Sequence, residues 1–343
     1  MADTKKEHYV PRCYLKYFTC NGDKIKVYDK FKTQIREQRT WDVAMENYFY
    51  DLDFEEVLGK VESTELEKIK LELMKLLNID SWDDIITILR NKKHIETEFF
   101  SNAEGVYSDL LETIINKSYN GNIWVIENCF ALSEKEKSLF SLFIAIQMIR
   151  TRAFRDSIGE GFEKMTQALM RKLSHKENEN LPNEAFEVKA DKEFVKWQHG
   201  SMIMDKEMIE EIASVFSNHI WVIYVNKTSI PFYTSDNPVV PIPHKRDRFL
   251  SYSGIQSEAI EIVFPLSPNL LLAMYDAKTY SSYINDRSFI AATHEQMIEQ
   301  YNQVQVTHSH RCIFSSEENF ELADNMCKDN PRLQEAPARF DVG

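Results

Sequence analysis

The chain has 343 residues and a formal net charge of −13, from 41 basic against 54 acidic side chains; 43% of its residues are hydrophobic and 12% aromatic. The 21 Phe and 15 Tyr supply a sizeable core and exclude a disordered chain, while only 9 Gly and 10 Pro exclude a loop-dominated or collagen-like one. An acidic surface does not favour non-specific attachment to nucleic acid or anionic membranes, so a phosphate-bearing ligand requires basic groups gathered in a local cleft.

Five cysteines, Cys13, Cys20, Cys129, Cys312 and Cys327, form neither a CxxC pair nor a zinc spacing, which reads as reduced thiols in a cytoplasmic protein. The opening MADTKKEHYV lacks the apolar stretch of a secretory signal. The longest apolar run, LFSLFIAIQMI at 139–149, is too short to span a bilayer and ends at an Arg, so no membrane association is expected.

In chain order, EHYVPRCYLKYF comes first, with Pro11 forcing Val10 to be extended. CNGD at 20–23 signals a tight turn before KIKVYDK, an alternating stretch that reads as a short hairpin or edge strand. Apolar residues at three- and four-residue steps predict a helix from about Phe54 towards Leu77, a second beginning at the cap Ser81, and a third through IETEFFSNAEGVYSDLLETIINK. Ser133 and Glu136 form a capping box for the longest helical pattern, which runs to about Leu173 with a break expected near Gly159–Gly161. From Leu139 to Ile149 this helix is apolar nearly all round and is expected to be central and buried. SHKENENLPNEAFEVKADKE at 174–193 reads as a linker-like insertion, followed by a helix over about 191–217.

After residue 218 the pattern becomes strand-like: HIWVIYV, IPFYTSDNPVV, EAIEIVFPLS and NLLLAMYD, with PLSPN as a hairpin turn. SFIAATHEQMIEQYNQV is expected to be a helix and HRCIFSS a last short strand. The expected fold is α+β, with a helix-rich N-terminal two thirds (about 1–217) around a buried central helix and antiparallel strands in the C-terminal third (about 218–316). Residues 1–325 are expected to form one large domain, and 326–343 a polar tail.

Four stretches carry candidate chemistry. In HYVPRCYLKYF, Pro11 presents His8, Tyr9 and Arg12 in a defined order; the alternative is a lead-in packing Tyr14, Leu15 and Phe18. In AIQMIRTRAFRD, Gln147 and Arg150 lie three apart on one helix face, as do Arg152 and Arg155. A buried guanidinium requires a partner, either an internal carboxylate (Asp51, Asp53 or Glu55) or a ligand anion. In FYTSDNPVV, Asp236 and Asn237 precede Pro238; Asp236 either caps backbone N–H groups or serves as metal ligand or general base. In YFYDLDFEEVLGKVE, Glu55 and Glu62 are two helical turns apart, and paired carboxylates could hold Mg²⁺ or Mn²⁺, although a solvated helix face is the commoner outcome. His308 and His310 of THSHR would share one side of a strand, without an evident third ligand.

HYVPRCYLKYF, VYDK, YFYD before a Glu-bearing helix, QMIRTRAFRD, TSDNPVV and FPLSPNLLLAM, in this order, resemble the bacterial domain-of-unknown-function family 4238 over roughly residues 7–316. The resemblance implies that these separated stretches belong to one fold and that His8, Arg12, Gln147, Arg150, Arg152, Asp236 and Asn237 converge; it implies no established activity. The leading functional expectation is a phosphate-chemistry hydrolase, a nuclease or nucleotide phosphodiesterase. Arg12, Arg150 and Arg152 would hold phosphate oxygens, His8 would act as acid or base, and Asp236 would orient water or bind metal with Glu55 or Glu62. The rival is a non-catalytic ligand-sensing or protein-interaction module, favoured if the same residues meet inside a closed core.

Overall fold

The computed structural model describes residues 6–51, 63–77, 79–90, 95, 100–120, 131–176, 187–247 and 251–335. The strands, in chain order, are β1 Lys6–His8, β2 Lys24–Asp29, β3 Gln34–Arg39, β4 Met45–Asn47, β5 Ile220–Asn226, β6 Thr234–Ser235, β7 Val240–Pro243, β8 Ile260–Ser267, β9 Leu270–Tyr275, β10 Ser288–Ala292 and β11 Cys312–Ser315. The helices are α1 Arg12–Leu15, α2 Ser63–Leu77, α3 Trp82–Arg90, α4 Ser101–Asn120, α5 Glu134–Ile149, α6 Arg152–Lys176, α7 Lys192–Met204, α8 Lys206–Asn218, α9 Ala277–Tyr280, α10 Glu295–His308 and α11 Glu321–Asp329. The fold is α+β. Among the described residues, no helix is long and apolar enough to cross a membrane.

Two compact units divide the chain: Met1–Asn47, Asn102–Ala153 and Lys206–Pro337 form the first, and Tyr48–Ser101, Phe154–Asp205 and Ala338–Gly343 the second. In the first unit, one sheet runs β10-β5-β9-β8-β7 and another β3-β2-β11-β6, with β1 and β4 paired separately. β8 and β9 are buried at every position, as continuous apolar runs covered on both faces should be, and Ser267 pairs with Leu270 across the turn expected at PLSPN. Val222, Phe232, Val263 and Leu271 are core members here, joined by Ile298 of α10.

Several elements differ from the sequence reading. β2 is internal, lying between β3 and β11, so the N-terminal hairpin completes a sheet whose other strands lie some 200 or more residues downstream. Residues 288–292, read as the start of a helix, form β10 parallel to β5, and the helix begins only at Glu295. Five residues are too few for periodicity to separate strand from helix, and pairing with the edge of β5 decides the outcome. The long helical pattern breaks at Arg150–Thr151 and not near Gly159, which lies inside α6 against Val195. The helix expected over 191–217 is interrupted at Asp205. Residues 326–329, read as the start of a polar tail, belong to α11, which carries Ala323 and Cys327 fully buried beside Tyr28, Ile313 and Phe320. The capping box at Ser133 is formed, with Ser133 Oγ accepting from Glu136 N at 3.2 Å and Glu136 Oε2 accepting from Ser133 N at 2.7 Å.

In the second unit, α2, α3 and α7 share a small cluster around the buried Ile85, with Ile69, Met74, Trp82 and Trp197 against it. Residues 188–190, at the end of the linker-like segment, return to α6: Val188 N donates to Gln167 Oε1 and Ala190 N to Glu163 Oε1, both at 2.9 Å. Arg155 belongs to this unit, stacked 3.4 Å over the Phe49 ring and donating from Nε to His199 Nδ1 at 3.0 Å. Of the helix expected from Phe54 towards Leu77, Ser63–Leu77 is α2, while residues 54–62, Glu55 and Glu62 among them, lie outside the described residues.

Candidate functional site

His8, Arg12, Gln147, Arg150, Arg152, Asp236 and Asn237 all belong to the first unit. β1 ends at His8, and the Pro11-capped α1 starts at Arg12, so a short extended segment runs between them. Two side chains from the end of α5 hold that segment. Arg150 Nη2 donates to the His8 carbonyl at 2.6 Å, and Gln147 Nε2 donates to the Tyr9 carbonyl at 3.3 Å. Arg150 is the C-cap of α5 and is only 2% exposed. Its Nη1 meets Glu104 Oε1 at 2.9 Å, an internal carboxylate that the sequence reading did not name. Asp51 belongs to the second unit, and Asp53 and Glu55 lie outside the described residues.

Asp236 is buried and receives three backbone N–H groups: His310 N at 2.7 Å on Oδ1, then Arg311 N and Cys312 N at 2.8 Å each on Oδ2. It is a cap for a chain segment about 75 residues away, where turn chemistry alone suggested a local one. Those bonds engage both oxygens with backbone N–H groups, the arrangement of the cap reading. Among the described residues no group of three or more His, Cys, Asp or Glu could hold a metal ion. Asn237 Nδ2 donates to the His308 carbonyl at 3.0 Å, and its Oδ1 accepts from Thr151 Oγ1 at 3.4 Å, linking this corner to the α5–α6 break. His308 and His310 do not share a strand face: His308 ends α10, and His310 precedes β11 with its ring 6.0 Å from Phe31.

Tyr9 lies within the electrostatic reach of both groups of residues. Burial pushes its phenol well above the ordinary value, and the Asp236 carboxylate pushes the same way, against the charge of Arg152. Arg152 itself forms an ion pair with Glu46 and is about two-fifths exposed. Burial also raises the Cys312 thiol, assisted by Asp236.

Further residues complete this network that the motif search did not single out as site members. Asp29, fully buried, accepts from Arg311 Nε at 3.0 Å and from Arg311 Nη2 and Arg36 Nη2 at 2.7 Å each. Burial alone would raise the Asp29 carboxyl, but the hydrogen bond and charge of Arg311, joined by Arg36, hold it below the usual range. Lys30, also fully buried, donates to the carbonyls of Val306 and Ser309 at 3.0 and 2.9 Å, satisfying the end of α10. Asp29 and Lys30 are the last two letters of VYDK, where a charged pair closing an apolar strand was the available signal.

His8 and Arg12, like Arg36, each carry a buried side-chain nitrogen with no hydrogen-bond partner among the described residues, Nε2 in His8 and Nε in Arg12. His8 is 6% exposed. Burial, then the charges of Arg12 and Arg150, lower the His8 pKa to about 4, against weaker opposition from backbone hydrogen bonds at Trp41 and Thr40. The Arg12 guanidinium lies 3.2 Å over the Trp41 ring, and the His8 ring meets the same indole edge-on at 6.1 Å. Trp41 is 48% exposed. Arg12, Trp41 and His8 therefore form an aromatic–cationic face, while Gln147, Arg150, Asp236 and Asn237 lie behind it in hydrogen bonds to backbone.

A family model described as protein of unknown function (DUF4238) matches residues 6–319, so the chain belongs to that family. No curated protein and no solved structure matches it.

Proposed function

We propose that this member of the DUF4238 family is a ligand-binding module that recognises a planar, phosphate-bearing molecule, a nucleotide or a single-stranded nucleic acid, on its Arg12–Trp41–His8 face. The observation that carries the reading is the Arg12 guanidinium 3.2 Å over a half-exposed indole, with Arg12 Nε and His8 Nε2 lacking hydrogen-bond partners among the described residues. An exposed indole offers a stacking surface to any base, and a guanidinium beside it offers donors in the geometry that phosphate accepts. A local cationic face also meets the requirement set by an acidic chain.

Binding is favoured over hydrolysis by what the other motif residues do. A His with a pKa of about 4 is neutral at physiological pH and has little proton to give. Arg150 and Asp236 already hold backbone groups from distant parts of the chain. The test is titration of wild type, Arg12→Ala and Trp41→Ala with nucleotides and labelled single-stranded RNA and DNA at several salt concentrations, with product formation monitored in parallel. The expected result is salt-sensitive binding without turnover, lost in both variants while their thermal unfolding stays close to wild type. Turnover by the wild type would return the case to the hydrolase, and equal binding by all three proteins would remove this face from the account.

A further inference from the structure

A cleft of about 300 Å³ opens elsewhere in the first unit, where the turn after β5, the β8–β9 turn and the segment after β11 meet Tyr17. None of the candidate site residues discussed above lines it. Its floor is held rigid: Asn226 Nδ2 donates to the Ile230 carbonyl at 2.7 Å, and Asn226 Oδ1 accepts from Thr228 N and Oγ1 at 2.9 and 2.8 Å. A preformed floor of this kind loses little entropy when a ligand enters.

Tyr17, Ser316 and Glu317 contribute the available chemistry. Their side-chain polar groups form no hydrogen bond or ion pair with the described residues. Burial, and then the charge of Glu112, push the Tyr17 phenol up to about 12, so it remains a donor at neutral pH. The lining thus offers a phenol donor, a hydroxyl that both donates and accepts, and one carboxylate, and among the described residues it includes no lysine or arginine. This composition disfavours an anion. A carboxylate beside a hydroxyl and a phenol suits a ligand that presents adjacent hydroxyl groups, since each carboxylate oxygen can accept from one of them.

We infer that this cleft is a second binding site, for a vicinal diol of monosaccharide size. Two sources share that chemistry, a free sugar and the ribose of a nucleoside. The inference stands apart from the Arg12–Trp41 reading and survives its failure.

The experiment is saturation-transfer NMR with calorimetry on the full chain, using glucose, ribose, adenosine and 2′,3′-dideoxyadenosine, repeated in an Arg12→Ala background to remove the other face. Binding of glucose or ribose without adenosine supports a free-sugar site, and tighter binding of adenosine supports a nucleoside. In either case Glu317→Gln is expected to weaken the complex about tenfold. Ser316→Trp is expected to fill the cleft and abolish binding. Both substitutions are outside the core, and an unchanged unfolding temperature checks that the fold survives. The inference is overturned if dideoxyadenosine binds as well as adenosine, if none of the diols binds at tens of millimolar, or if Ser316→Trp leaves affinity unchanged.

Discussion

His8 gives the sharpest prediction, because its environment opposes its charge from several sides at once. Replacing it by Gln removes the titrating group while leaving a polar side chain near Thr40 and Trp41. The native imidazole has a pKa of about 4 against 6.5 in a model peptide. The unfolded chain therefore takes up a proton near pH 6.5 that the folded chain refuses until about pH 4. Where the unfolded state binds more protons, stability rises with pH. The His8 contribution is consequently complete above pH 6.5 and is lost as pH falls towards 4. From neutral pH to pH 5 the loss comes to about 2 kcal/mol, and across the whole window to about 3 kcal/mol.

Urea unfolding of wild type and His8→Gln at pH 8, 7, 6, 5 and 4.5 measures this directly. Asp29, whose carboxyl is held below the usual range, also loses stability in acid, but it does so in both proteins and drops out of the difference. Wild type should lose ground to the variant steadily below pH 6.5. A difference that stays flat from pH 8 to 4.5 would refute the buried, cation-flanked imidazole. A difference of the opposite sign would mean that His8 gains a carboxylate partner in solution.

Asp236→Asn leaves one acceptor oxygen for three N–H groups and turns an NH₂ towards at least one of them. It is expected to cost about 3 kcal/mol by denaturant unfolding, with any surviving ligand binding at the Arg12 face unchanged. Arg150→Ala removes both the Glu104 ion pair and the hydrogen bond to the His8 carbonyl, for about 3–5 kcal/mol, measured as a shift in thermal midpoint. Lys30→Met leaves the carbonyls of Val306 and Ser309 without their donor, and hydrogen exchange at the end of α10 should accelerate, with about 2 kcal/mol lost overall. His244 carries the opposite pH sign from His8. Its hydrogen bond to Glu261 at 2.7 Å raises its pKa, so Glu261→Gln should lower the His244 midpoint observed by NMR, and the stability it contributes fades as pH rises through that midpoint.

The residues that announce themselves locally were legible in the sequence. Ser133 and Glu136 cap α5 because a capping box needs only four consecutive residues, and β5, β8 and β9 stand out as strongly apolar stretches, with Glu261 the one charged residue among them. What failed were outcomes decided by partners far along the chain. The placement of β2 depends on β11, nearly 290 residues later, and the identity of β10 depends on β5. Glu104 as the partner of Arg150 and Trp41 under Arg12 are contacts across 46 and 29 residues. Nothing in the neighbourhood of either residue announces them.

The convergence of the motifs and their chemical role come apart here for a physical reason. HYVPR, RTR and SDNP lie in one unit: Arg150 and Gln147 hold the His8 and Tyr9 carbonyls, Thr151 Oγ1 donates to Asn237 Oδ1, and SDNP otherwise holds the His308 carbonyl and the amides of His310, Arg311 and Cys312. Non-regular segments carry backbone groups that no helix or sheet satisfies, and burying them requires side chains that supply the missing partners. Arg, Gln, Asn and Asp are the residues with enough donors or acceptors to do so. A run of such residues at strand and helix ends is thus as much a sign of buried irregular backbone as of catalysis. Arg12 differs from Arg150 by one test: among the described residues it makes no hydrogen bond to backbone, and it faces a half-exposed ring. That difference, more than the motif that contains it, is why we propose ligand recognition for Arg12 and support of the fold for Arg150.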